Sequence, residues 1–286
     1  MTARRPGFSL AELTVAMLIA GIIGVALARL IIHQSRFVAM QDATMRARSG
    51  ARAALNALSG ELRAVTDGGL VGASPDSITV RVPYAFGVAC GPFSGTTVVS
   101  LLPTDSAIFS ASRASGYAWL DSTGTWQFVT PATVGAPNPV VLLSCLFPWN
   151  EHVTTLSVTG WLAKGVTVSP SIPVTPVRGR LVYLYQTVCY AFEASVEIPG
   201  RRALWRTVVS TGTRDELVAP FDSSAKFQFL VGGAYALQSA PPAVLDSVRG
   251  VRVKLVGASE TVPQGRSQPV TFDLTTDILF RNNARQ

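Results

Sequence analysis

Between Phe8 and Ile32 the chain runs for 25 residues with one carboxylate, Glu12, near its start and one cation, Arg29, near its end. From Leu13 to Ala28 there is neither charge nor proline. As a helix the run would be about 37 Å long, enough to cross a hydrocarbon core of about 30 Å with some tilt. A buried carboxylate in such a span costs about 2.5–3.5 kcal/mol at mid-bilayer and less near the edge, so Glu12 is a functional candidate. Arg4 and Arg5 precede the run; the positive-inside bias places this end in the cytoplasm and everything after the span outside.

Three readings compete for this segment. A secretory signal peptide would use residues 13–25 as its apolar region and be cut after Ala26-Leu27-Ala28, but Glu12 fits it poorly. A plain single-span anchor would leave Glu12 at the interface with no role. The third reading rests on Gly7-Phe8-Ser9-Leu10-Ala11-Glu12-Leu13, with its basic leader and following apolar helix. This segment closely resembles the processing site of type IV pilins and type II secretion pseudopilins. The resemblance implies cleavage by a membrane prepilin peptidase between Gly7 and Phe8, N-methylation of Phe8, and a role for Glu12 in assembly. The ammonium group exposed at Phe8 would then be paired by Glu12 of a neighbour, offsetting part of the cost of burying both charges and setting axial register. If the helix began at Phe8, Glu12 would lie one turn on, on the same face. Gly21 and Gly24 would permit close helix approach.

Helical signals continue past the span. No proline occurs between Gly7 and Ser74, and Ala51, Leu55, Leu58, Leu62 and Val65 mark one apolar face. Asp67-Gly68-Gly69 is the stop signal, with Gly50 and Gly60 as weak points. Beyond Gly72 the period changes to two at Ile78, Val80 and Val82. Further strands are expected at 97–102, 125–129, 140–147, 153–158, 181–193, 203–210, 226–231, 250–256 and 270–281, with a short helix or turn at 243–248 and a long connection at 130–139. The fold class that follows is α+β: a long N-terminal helix, its first half transmembrane, packed by its second half on an antiparallel β-sheet head. The expected organisation is a leader at 1–7, a span at 8–32, the extramembrane half of the helix at 33–67 and a β-rich head at 68–286. In coarse order this resembles the larger minor subunits, the J-type minor pseudopilin and the W-type minor pilin.

Net charge is +7, which raises a nucleic-acid reading. Its distribution opposes it: residues 1–63 hold eight arginines against Glu12, Asp42 and Glu61, whereas 64–286 hold 16 basic and 14 acidic side chains. The excess sits on the leader and the helix, where Arg36, Arg46, Arg48 and Arg52 would meet lipid headgroups, neighbouring subunits or solvent. A DNA-capturing competence pilin is therefore the alternative rather than the leading reading, and a membrane-tethered periplasmic binding domain or enzyme is a third.

The chain has three cysteines, and an extracytoplasmic compartment permits one disulfide. Sequence allows three pairings; Cys90–Cys145 is preferred because both close apolar runs near turns, leaving Cys189 as a buried thiol. Signals for catalysis are poor. His33 follows the span and His152 sits beside Glu151 in a loop. The S-x-x-K match at Ser223–Lys226 lacks its companion motifs. Oxygen ligands at Asp215, Glu216 and Asp222 match no calcium loop and read as a polar surface turn. Trp119, Trp126, Trp149, Trp161 and Trp205 should be mostly core. The chain thus reads as a non-enzymatic minor pilin or pseudopilin without cofactor or metal. Its implied partners are other minor and major subunits, the prepilin peptidase, the inner-membrane assembly platform and membrane lipid. The implied location is the inner membrane, single-pass with a periplasmic head, and then a periplasmic or extracellular filament.

Overall fold

The computed structural model describes residues 9–137 and 165–280. Its first element, α1 (Leu10–Leu62), is one unbroken 53-residue helix, about 80 Å long. Ser9 is its N-cap, so the helix starts two residues later than the expected start at Phe8. The glycines flagged as weak points do not interrupt it, and a Cβ added at Gly50 would stand in ordinary contact distance of Val218. Every residue from Leu10 to Gln41 is exposed. Burial begins at Ala43 and recurs at Ala47, Ala51, Ala54, Leu58 and Leu62. The buried stripe thus begins earlier than the predicted one and consists largely of alanine, and Leu55 lies at its margin.

Small residues are needed there because a strand backbone comes close. A Cβ added at Gly257 would stand 2.2 Å from the carbonyl oxygen of Ala47. The helix lies on the sheet at backbone distance, which Ala47 and Gly257 together allow.

The remaining elements are β1 (Leu70–Ala73), β2 (Ser77–Phe93), β3 (Thr96–Leu101), α2 (Pro103–Ile108), β4 (Gly116–Leu120), β5 (Trp126–Val129), β6 (Thr133–Val134), β7 (Gly165–Ser169), β8 (Leu181–Ala194), β9 (Arg202–Val208), β10 (Arg214–Phe221), β11 (Lys226–Val231), β12 (Ala236–Gln238), β13 (Val248–Ala258) and β14 (Thr271–Leu279). Among the described residues these strands form one sheet in the order β12-β11-β13-β10-β9-β8-β2-β3-β7-β6. β1 pairs with β2, β14 with β13, and β4 pairs with both β5 and β8. All recorded pairings are antiparallel. The long α1 packed on this sheet makes the fold α+β, as the sequence pattern implies.

The strand β2 joins two hydrophobic cores. Its first part supplies Ile78, Val80 and Val82 to the core beneath α1, with Leu58, Leu62, Phe227 and Val253. A bulge between Pro83 and Ala85 adds one residue against β8 and keeps the same face inward, so that Ala85 and Ala89 enter a second core with Val99, Trp119 and Val166. β8 crosses both in step: Val188 and Phe192 face the first core, Val182 and Leu184 the second. Its alternate residues Tyr183 and Tyr185 cover the opposite face with Ala118, Trp126 and Phe128.

Several expectations change here. Asp215 and Glu216 are not in a turn: they belong to β10, paired with Arg206 and Trp205 of β9. Asp222 does sit in a turn, where its carboxylate accepts from Ser224, within the S-x-x-K match. The connection at 130–139 includes the short strand β6. The short helix or turn expected at 243–248 is a 3-10 turn at Leu245–Ser247, whereas the strands β1, β4, β7, β10 and β12, the helix α2 and the 3-10 turn at Ala111–Arg113 lie outside the expected elements. Expected strands at 140–147 and 153–158 fall outside the described residues.

Candidate functional site

Glu12 occupies the third helical position of α1 and closes a reciprocal capping box. The Glu12 backbone N–H donates to Ser9 Oγ (3.2 Å), and the Ser9 backbone N–H donates to Glu12 Oε2 (3.0 Å). The carboxylate is thus turned back toward the helix N-terminus, where it also complements the helix dipole. Gly7 and Phe8, the expected cleavage and methylation positions, lie outside the described residues. The Ser9-x-x-Glu12 spacing is the sequence signature of this cap.

From this cap the helix presents apolar side chains in every direction: Leu10, Leu18, Ile22, Ile23, Leu27 and Ile31 are all more than half exposed. It is long and apolar enough to cross a membrane, and none of its most apolar 18-residue window is buried. His33 is exposed just beyond, followed by exposed Arg36, Phe37 and Val38.

The other end of α1 is stapled to the head by polar contacts. Glu61 accepts from the Tyr190 hydroxyl and from Arg206 Nε at 3.3 Å, while Arg206 Nη2 also reaches Gln186 Oε1 at 3.2 Å. Burial pushes the Tyr190 hydroxyl well above its ordinary pKa, and the facing Glu61 carboxylate adds to the shift. Burial alone would lower Arg206, but Glu61 and Tyr190 together outweigh it and the net shift is upward. Just past the helix, Thr66 Oγ1 meets the Tyr183 hydroxyl at 2.5 Å, and Arg81 donates to the Gly68 carbonyl while lying over the Phe128 ring. Asp67 pairs with Arg249 at 3.0 Å; burial nevertheless raises its pKa, and nearby Asp246 adds to that. These contacts link the end of α1 to β8 and β9, and the segment just after it to β2, β8 and β13, and none of them follows from a sequence motif.

Cys90 lies in β2 and is disulfide-bonded. Cys145 lies outside the described residues. Cys189 is a free thiol on β8, half-buried rather than buried because its strand position faces away from the core, between Thr79 and Thr207. Arg178 Nε donates to the Cys90 carbonyl at 2.7 Å beside a groove bounded by Pro92, Ile172 and Pro176. Trp119 and Trp205 are buried and Trp126 is half-buried against Tyr183; Trp149, Trp161 and His152 lie outside the described residues. Among the described residues, no three His, Cys, Asp or Glu side chains converge as a metal site would require. The described residues thus present a capped carboxylate, a bare apolar helix, and a β head held to its far end by buried apolar and polar contacts.

No protein-family model matches the chain, and neither a curated protein nor a solved structure shows significant similarity to it.

Proposed function

We propose that this chain is a minor pilin or minor pseudopilin, a low-copy structural subunit of a type IV pilus or type II secretion pseudopilus. It waits in the inner membrane as a single-span precursor with its head in the periplasm. Cleavage after Gly7 and methylation of Phe8 ready it for filament entry through helix–helix packing. Residues 1–7 are then the leader, 8–32 the span, 33–67 the outer half of the helix and 68–286 the head. Its partners are other pilin-like subunits, the prepilin peptidase and the assembly platform.

The observation that carries this reading is the placement of Glu12: a carboxylate turned toward the start of a bare apolar helix whose other end holds a large β head. Left alone in lipid, that charge is a cost; opposite the ammonium of a neighbouring Phe8 it becomes a register mark.

The test is processing. In cells that carry a prepilin peptidase, intact mass should show loss of residues 1–7 plus one methyl group. Substituting Gly7 by Val should leave the full precursor. A Gly7→Val chain that still yields a product starting at Phe8, or a mature wild-type chain starting after Ala28, would refute the assignment. Glu12→Ala should be cut normally yet enter filaments at least tenfold less efficiently, measured by immunoblot of sheared fibres.

A further inference from the structure

Between Glu12 and Asp42 the chain has no acidic residue, and its only charged side chains are Arg29 and Arg36, with His33 between them. All three are exposed on the unbroken helix α1. At about 100° per residue, His33 and Arg36 fall within about 40° of Arg29, so the three form one stripe. The same counting puts Ala43, Ala47, Ala51 and Ala54, which carry the head, within about 40° of Arg29 as well. The stripe therefore lies on the head side of the helix, directly below the head. Asp42 points to the opposite side of the helix by this count, and its carboxylate takes Arg46 at 3.1 Å.

The axial spacing fits a membrane surface. Arg29 precedes Ile32, the end of the uninterrupted apolar run, by one turn, and Arg36 follows it by one turn. The stripe thus spans about 10 Å, against a headgroup layer of about 5–8 Å per leaflet. A further 10 Å or so of helix separates Arg36 from the first head contact at Ala43, leaving room for headgroups beneath the head.

We propose that Arg29, His33 and Arg36 bind the phosphate groups of anionic lipids in the leaflet beneath the head. Guanidinium groups match phosphate oxygens bidentately. The binding fixes which way the head faces over the membrane before assembly, since a stripe on one side of the helix holds its rotation. The inference rests on the membrane-span part of the function proposed above and is independent of cleavage and filament entry.

The experiment uses the full chain purified in neutral detergent, with phosphatidylglycerol or phosphatidylcholine added and retained lipids counted by native mass spectrometry. Wild type should retain phosphatidylglycerol and little phosphatidylcholine. The double variant Arg29→Gln/Arg36→Gln should lose about fivefold in affinity per arginine removed, about 25-fold in all. The control Arg52→Gln/Arg63→Gln removes the same charge from exposed positions on the other side of the helix and should stay within twofold of wild type. Equal loss in both doubles, or none in the first, overturns the proposal. So does displacement of the lipid by an equal concentration of inorganic phosphate, which would mark a site for free anions instead. Wild-type chain recovered in the soluble fraction without detergent would sink the span reading itself, a result distinct from lipid indifference in a membrane-bound chain.

Discussion

The two halves of α1 are one continuous helix with opposite surroundings. Residues 10–41 are exposed on all sides and carry large aliphatic side chains in every direction; residues 43–62 show one buried face, largely alanine, that lies against strand backbone. Large apolar groups around the whole circumference suit a fluid solvent that adapts to any shape. Small groups on one stripe suit a fixed partner that must come close. The contrast separates a helix surface left bare on all sides from one fitted to protein, and it does so within a single element.

The sharpest way to break this comparison is to make one substitution in both halves. Leu58→Ala should cost about 3 kcal/mol of head stability, because Leu58 is fully buried in the first core. Leu18→Ala should change it by less than about 0.5 kcal/mol, as Leu18 is 65% exposed. Denaturant unfolding in detergent, followed by tryptophan fluorescence, measures both; equal costs would show that the first half also packs on the head. Next in size, Glu61→Ala should cost about 2 kcal/mol, since it leaves Arg206 without its carboxylate. The cost falls below that of a fully buried pair because Glu61 is one-third exposed. If Arg206→Met restores the loss when combined with it, the charge rather than the packing is responsible. Gly257→Val should cost about 2 kcal/mol by forcing Ala47 away, and should loosen α1 selectively, seen as faster amide exchange at 43–54 with β8 unchanged.

The smallest effect is electrostatic. Asp277 is held below the usual carboxylate range by Arg252, and Asp222 by the Ser224 hydroxyl. Such carboxylates stabilise the fold above their unfolded pKa of about 3.9, and that contribution fades as pH falls through their lower folded values. Asp67 runs the other way: its raised pKa means the folded chain takes its proton first, so acid favours folding at that position. Asp277→Asn should therefore flatten the acid limb of a stability–pH curve by under about 1 kcal/mol, since the pair is partly exposed. An unchanged curve would remove Asp277 from the balance.

Much of this was legible in the sequence where a single period dominates. The apolar run, the helical stripe at Ala51, Leu58 and Leu62 and the alternation at Ile78, Val80 and Val82 all name their elements directly. Strands that mix signals were lost. β10 begins Arg214-Asp215-Glu216 and contains Pro220, so its charges read as a turn, although in the sheet Arg214 lies over the Trp205 ring and Glu216 accepts from Ser195. β2 passes through Pro83, Gly87 and Gly91, residues that ordinarily end strands. Pro83 borders the bulge, and Gly87 makes room for β3, since a Cβ there would stand 2.5 Å from the Ser100 carbonyl oxygen. At the site, Ser9-x-x-Glu12 was readable and missed. The contact of Glu61 with Tyr190 and Arg206 was not readable at all, because the three residues meet only once the sheet has formed.

The direction of β13 has a mechanical consequence. Gly257 lies against Ala47 and Arg249 against Asp67, so the strand runs back antiparallel to the helix axis. Its ladder with β14 comprises nine successive residue pairs laid along that axis. Tension on the helix would therefore load those rungs together, in shear, rather than peeling them apart one after another.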